Sequence, residues 1–140
     1  RRLNACLVEG ITVTDVYSDG RKIRDISLLR CALRLQYDAG VPDNCAEALQ
    51  ALFARSELMV PKKTKNGMQD QNIISMIWEI SFQAVNDREV QAECLICCQN
   101  PTLNPMQIPA AISLYAPEFA PNFTRCCRME IYDSNRQIFR

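Results

Sequence analysis

Five of the chain's seven prolines fall within residues 99–121, and this cluster constrains the fold more than any other feature. Proline lacks a backbone N–H and has a fixed φ, so long helices and central strands are not expected here. Only residues 110–116 leave room for a short regular element. The segment is nevertheless apolar, which predicts an arm that packs either on its own core or on a neighbouring protein. The five residues are Pro101, Pro105, Pro109, Pro117 and Pro121.

Helical spacing of apolar residues predicts three helices before the prolines. The first follows Asp25 as a plausible N-cap and stops at Gly40 and Pro42. The second begins at Asp43 or Asn44, and the third covers residues 70–85, where apolar side chains surround almost the whole helix. A helix of that kind is usually buried centrally or at an interface. The apolar stripe of the second helix comprises Cys45, Ala48, Leu49, Leu52 and Phe53.

Alternation of β-branched residues predicts strands near both ends of the chain. Within residues 5–17, Ile11 and Val13 alternate with threonines, and residues 18–20 form a turn before a return strand. A second hairpin is predicted over residues 125–139, whereas residues 61–67 are predicted to form an exposed basic loop. The predicted fold is therefore α+β, with about three core helices, short N- and C-terminal β-hairpins and a proline-rich irregular segment. One globular domain is expected over residues 1–140.

The charge balance and the absence of histidine narrow the function classes. The formal net charge is zero and the charges are mixed, whereas a duplex nucleic-acid binder usually shows a basic excess. Without histidine, Ser-His-Asp and Cys-His catalysis and every histidine-containing zinc site are excluded. No glycine-rich phosphate loop, no paired carboxylate motif and no membrane-length apolar run is present. A non-enzymatic protein is therefore expected.

Eight cysteines allow three interpretations. The favoured one is reduced cysteine packed as a small apolar side chain, since Cys31 and Cys45 fall within apolar helical patterns. The second is a structural zinc, and the third is a set of disulfides in a secreted protein, which the sequon at Asn122 would suit. The zinc interpretation has four candidate ligands. Cys94 and Cys97 are separated by two residues, as zinc ligands often are, and the adjacent pair Cys126 and Cys127 would complete the site.

These patterns predict a protein-interaction or assembly domain that binds a second copy of itself or another protein, with no cofactor and no membrane span. Its expected location is intracellular, in cytoplasm or nucleus, and high cysteine content without histidine also suits a viral protein. One alternative is a regulatory nucleic-acid-binding domain, with zinc as its structural metal, and another is a thiol-dependent enzyme. The predicted interface comprises Trp78, Met106, Ile108, Leu114, Tyr115, Phe119 and Phe123. The predicted nucleic-acid contacts are Arg125, Arg128, Arg136 and Arg140.

Overall fold

The computed structural model describes residues 2–140, which form six strands, two α-helices and several single 3-10 turns. Four strands make one antiparallel sheet, and the other two make a separate hairpin. The elements are β1 (Leu28–Gln36), α1 (Cys45–Phe53), β2 (Met59–Thr64), β3 (Gly67–Asn72), β4 (Ile77–Asn86), β5 (Glu89–Cys97), α2 (Gln107–Tyr115) and β6 (Phe123–Tyr132).

The four-stranded sheet has the order β4-β5-β1-β6, with every neighbouring pair antiparallel. Along the chain, its strands and the two helices follow the sequence strand–helix–strand–strand–helix–strand, and the β2–β3 hairpin is inserted after α1. This is the split βαβ arrangement of ferredoxin-like domains. Such a fold hosts many unrelated activities, so function must be argued from its surfaces.

A single buried cluster joins one face of the sheet to both helices. Cys31, Leu33 and Leu35 of β1 alternate into it, as successive strand residues point to opposite faces. Leu49 of α1 and Ile112 of α2 close it from above, and both are fully buried. Packing of α1 on β4 is anchored by Phe53 and Phe82, whose ring centroids lie 5.4 Å apart.

The prediction of about three core helices is wrong, although the α+β class broadly holds. Only the second predicted helix forms, as α1. The first is strand β1, and residues 70–85 contain the end of β3, a 3-10 turn and most of β4. In β4, Ile80 and Phe82 pack against the core while the intervening side chains face away. A short apolar run fits both the helical period of 3.6 residues and the strand period of 2. Here pairing with neighbouring strands favours the strand.

Two further local predictions also fail. The basic segment at residues 61–67 is not a loop, because β2 and β3 pair through it and only Lys65 and Asn66 form the turn. No N-terminal hairpin forms, since residues 7–22 contain no helix or strand. At the C-terminus, the turn after Asp133 is present, but the predicted hairpin shrinks to one bridge between Tyr132 and Ile138.

The prediction of an irregular proline-rich segment is also wrong, because α2 forms within it and closes the chain's own core. Pro109 lies in the first turn of this helix, where the missing N–H has no intrahelical acceptor to lose. Ile108 and Ile112 are fully buried against the sheet. The hydroxyl of Tyr115 donates a hydrogen bond of 2.7 Å to the carbonyl oxygen of Met59, which fixes α2 against the base of the β2–β3 hairpin.

Candidate interaction surface

The segment of residues 2–27, called here the N-terminal arm, carries six exposed large apolar side chains. The buried core begins at Leu28, and none of residues 2–27 is buried. Val16 is 77% exposed, Val8 69% and Tyr17 63%. Isolated apolar residues on a surface are normal, but a run of them without a supporting core marks a surface that binds something. The other exposed large apolar residues of the arm are Leu3, Ile11 and Ile23.

The arm also leaves part of its backbone unpaired. The Asn4 amide donates to the carbonyl oxygen of Val13 at 3.0 Å and accepts from the Val13 N–H at 2.8 Å. This side chain therefore occupies both backbone groups of Val13, much as a neighbouring strand would. The N–H groups of Thr12 and Thr14 donate to nothing within residues 2–140. Backbone groups in that state are free to pair with another strand.

The two edges of the four-stranded sheet differ. At β4, the Gln50 amide of α1 donates to the carbonyl oxygen of Ile80 at 3.0 Å and accepts from the Phe82 N–H at 3.3 Å. This edge is therefore partly blocked, as sheets that avoid edge-to-edge pairing often are. Within the described chain, the backbone of residues 123–130 in β6 bonds to β1 and, at the Arg128 carbonyl oxygen, to the Cys127 thiol at 3.6 Å. No other strand pairs with its outer edge, which is therefore open.

The predicted interface residues are divided by the structure. Ile108 is fully buried and Phe119 is partly buried, so these two belong to the core. Tyr115 is committed to its contact with Met59. Trp78 lies under the Arg136 guanidinium, which is 5.0 Å from the ring centroid. The exposed members of the set are Trp78, Met106, Leu114, Tyr115 and Phe123, which lie on α2, β4, β6 and the turn before α2.

The four predicted nucleic-acid arginines do not form one patch. Arg136 pairs with Glu79 at 3.0 Å, and Arg140 pairs with Glu130 at 2.7 Å. Arg125 and Arg128 are exposed on β6, opposite Arg34 and Cys31 respectively, and so lie on opposite faces of the sheet. The direct pairing of Arg34 with Arg125 places like charges together, and neither forms an ion pair within residues 2–140.

The four predicted zinc ligands are not brought together either. Cys126 and Cys127 are neighbours in β6, so their side chains point to opposite faces. Cys94 is fully buried, and Cys97 is half-buried at the end of β5. Among the described residues, no group of three or more acidic or cysteine side chains is arranged to hold a metal ion. All eight cysteines carry free thiols.

Cys31 and Cys94 are directly opposite each other in the pairing of β1 with β5. The Cys94 thiol donates a hydrogen bond of 3.8 Å to the carbonyl oxygen of Cys31. The side-chain contact with Cys94, together with burial, raises the pKa of the Cys31 thiol. On the same face, burial raises the pKa of Cys126 to about 11, and the neighbouring thiols add to the shift.

These environments predict an order of thiol reactivity. At pH 8, Cys6 should be labelled by a maleimide within minutes, whereas Cys31 and Cys94 should react only after unfolding, because both are fully buried. Cys126 is exposed but should lag behind Cys6, because a pKa of about 11 leaves little thiolate at pH 8. Site-resolved mass spectrometry of timed labelling measures the order. Labelling of Cys31 as fast as Cys6 would contradict the placement of β1 in the core.

A polar cavity of about 480 Å³ lies between the end of the arm, the loop after β5 and the C-terminal turn. Its most strongly charged part is already neutralised, because the Arg21 guanidinium pairs with Asp133. The remaining lining consists of uncharged polar side chains, the charged residues Arg24 and Asp25, and a single apolar residue, Ile26. Concave ligand sites usually have a mostly apolar lining with a few convergent polar groups. The lining of this cavity is mostly polar instead. The open, apolar arm is therefore the stronger candidate site.

A family described as an uncharacterized protein conserved in bacteria (DUF2344) matches residues 1–105. The chain belongs to this family. The family match covers the arm, α1, the β2–β3 hairpin and the strands up to β5, while α2 and β6 lie beyond it. Membership gives no support to the viral origin or to the nuclear location considered from composition, because the family is described from bacteria.

Neither the curated proteins nor the solved structures contain a match to this chain. Within residues 2–140, no helix has both the length and the apolar character needed to cross a membrane. Both α-helices have only nine residues.

Two features of the surface escaped the sequence patterns. The alternation at Ile11 and Val13 was visible, but it predicted a strand paired within the chain, whereas no strand within residues 2–140 pairs with this segment. The edge protection by Gln50 left no signal, because a glutamine on the polar side of a helix is ordinary. Only the positions of α1 and β4 bring that amide to the edge.

Proposed function

We propose that this domain is a protein-interaction module of a bacterial protein family, and that the N-terminal arm is its binding element. The observation that carries the proposal is the run of exposed apolar side chains over residues 3–23, beneath which the chain has no core. Aromatic and aliphatic side chains with unpaired strand backbone are typical of segments that bind by adding to a sheet. The proposed function is binding without catalysis.

The arm should contribute almost nothing to the stability of the domain itself. Replacing Ile11, Val16 and Tyr17 together by serine is expected to change the free energy of unfolding by less than about 0.5 kcal/mol, because all three are exposed. Denaturant unfolding measures this. The control is Leu28→Ala at the first fully buried position, which should cost roughly 2–5 kcal/mol. A loss near the Leu28 value for the triple variant would show that the arm belongs to the core.

The binding function is tested by a photoreactive amino acid at Val16 in bacterial cells that carry the natural protein. Irradiation should give a cross-linked protein that disappears when Ile11 and Tyr17 are replaced by serine. The matched control position is Lys65, which is also exposed, at the tip of the β2–β3 hairpin. If Val16 yields no more cross-linked protein than Lys65, the arm is not a protein-binding element.

A second candidate function is anion or single-strand nucleic-acid binding on the sheet face that carries Arg34 and Arg125. Their direct cross-strand pairing without an acidic partner favours it. Against it, the exposed face of the central strands β1 and β5 carries no aromatic side chain on which bases could stack. Loss of salt-dependent oligonucleotide binding in Arg34→Ala/Arg125→Ala, with retention in Arg136→Ala, would support this candidate.

A further inference from the structure

The geometry points to a specific occupant for the arm, an inference that rests on the proposed function. Residues 11–17 of one copy add as a strand to the open outer edge of β6 in a second copy. The protein therefore forms a homo-oligomer in which each N-terminal arm pairs with a neighbouring copy.

The backbone groups that such pairing requires are present on both sides. On the arm, the N–H groups of Thr12 and Thr14 are unpaired and lie two residues apart, so they point to the same side of an extended segment. The Val13 N–H between them points the other way and is held by Asn4. On β6, residues 123–130 present an edge of comparable length that no strand of the described chain pairs with, and a single long thiol contact at the Arg128 carbonyl oxygen is its one side-chain bond. Each side therefore satisfies the other's free donors and acceptors.

Charge also matches the two segments. Residues 9–19 of the arm carry no basic residue. They carry three acidic residues, Glu9, Asp15 and Asp19. Residues 123–130 carry Arg125 and Arg128, with Glu130 as the only acid. Because the two arginines lie on opposite faces of the sheet, an acidic residue on either face of the added strand can approach one of them.

The apolar exposure completes the match. Phe123 and Met129 of β6 are 55% and 56% exposed, and Ile11 and Val16 of the arm are similarly uncovered. Cross-strand pairs of aromatic and β-branched side chains stabilise antiparallel sheets. The β4 edge is the weaker acceptor, because Gln50 already occupies the backbone of Ile80 and Phe82.

The test is the association constant of the reduced protein, measured by sedimentation equilibrium with excess reductant so that disulfides cannot link the copies. The wild-type chain should form a dimer or higher oligomer. Thr12→Pro/Thr14→Pro removes the two free N–H donors and should weaken association roughly 10- to 100-fold. The matched variant Thr12→Ala/Thr14→Ala retains both N–H groups and should associate like the wild type.

A charge swap identifies the acceptor edge. Arg125→Glu/Arg128→Glu should weaken association, and adding Glu9→Arg/Asp15→Arg to the same chain should restore it. The inference would be overturned by a monomeric wild type or by an oligomer that Thr12→Pro/Thr14→Pro leaves unchanged. It would also be overturned if the arginine-to-glutamate variant weakens association and the added arm arginines do not restore it. A Val16 cross-link to a different protein would also overturn it while leaving the proposed function intact. Absence of any cross-link above the Lys65 control would overturn both.

Discussion

Replacing Ile112 by alanine is expected to lower the free energy of unfolding by roughly 2–5 kcal/mol, a large part of a small domain's stability. Ile112 is fully buried in the cluster that joins α2 to the sheet, and the shortened side chain would leave a cavity that the packed neighbours can fill only in part. Urea unfolding of wild type and variant, followed by circular dichroism, measures the change.

The matched control lies two residues further along the same helix. Leu114 is 56% exposed, so Leu114→Ala should change the free energy of unfolding by less than about 0.5 kcal/mol, although it also truncates an aliphatic side chain in the same helix. Equal effects at the two positions would mean that α2 is not packed as described. The same contacts explain why deleting residues 104–120 should unfold the chain, since Ile108 and Ala111 would be lost as well.

Replacing Arg140 by glutamine is expected to raise the pKa of Glu130 by most of the distance from about 2 to its ordinary value of 4.5. The two guanidinium nitrogens of Arg140 donate to the two carboxylate oxygens at 2.7 and 2.8 Å. This paired geometry is the main reason for the low pKa, and a hydrogen bond from the Ile131 N–H adds to it. The Ile131 bond remains in the variant, so the pKa should stay somewhat below 4.5.

Carboxyl resonances followed by NMR over pH 1.5–7, a range of about five units chosen to span both values, measure the shift. Because the folded-state pKa is depressed, the pair stabilises the fold above pH 4.5, and that contribution disappears as the pH falls toward about 2. The control is Arg136→Gln, which removes a guanidinium bonded to Glu79 instead. The pairing would be contradicted if the pKa of Glu130 changes in Arg136→Gln and stays the same in Arg140→Gln.

The sequence pattern alone predicted an element correctly where one short segment contained all the information that the element needs. The second predicted helix forms as α1, and its buried residues Cys45, Leu49, Leu52 and Phe53 belong to the predicted stripe. Asn44 does precede the helix, but its backbone is left-handed, with a φ of 56°, and its side chain makes no capping hydrogen bond. The position of the helix start was therefore predicted correctly for a reason that the structure does not support.

The candidate site was less accessible to sequence patterns than the fold. An exposed and a buried apolar residue look alike in a sequence, so Ile108 was grouped with Met106 and Leu114. The arm was recognised as β-prone, but its lack of a partner within residues 2–140 is a property of the folded chain. The like-charge pair of Arg34 and Arg125 likewise depends on register across strands far apart in the chain.

By itself, the sequence determined the broad α+β class, the position of α1 and the loss of every histidine-dependent chemistry. The tertiary structure decided whether the apolar runs at residues 28–36 and 77–86 become helices or strands. Their side chains fit a period of 3.6 and a period of 2 nearly equally well. Strand pairing with β5 satisfies the backbone groups along one edge of each run and places one face of each against the core. That gain exists only once distant segments meet.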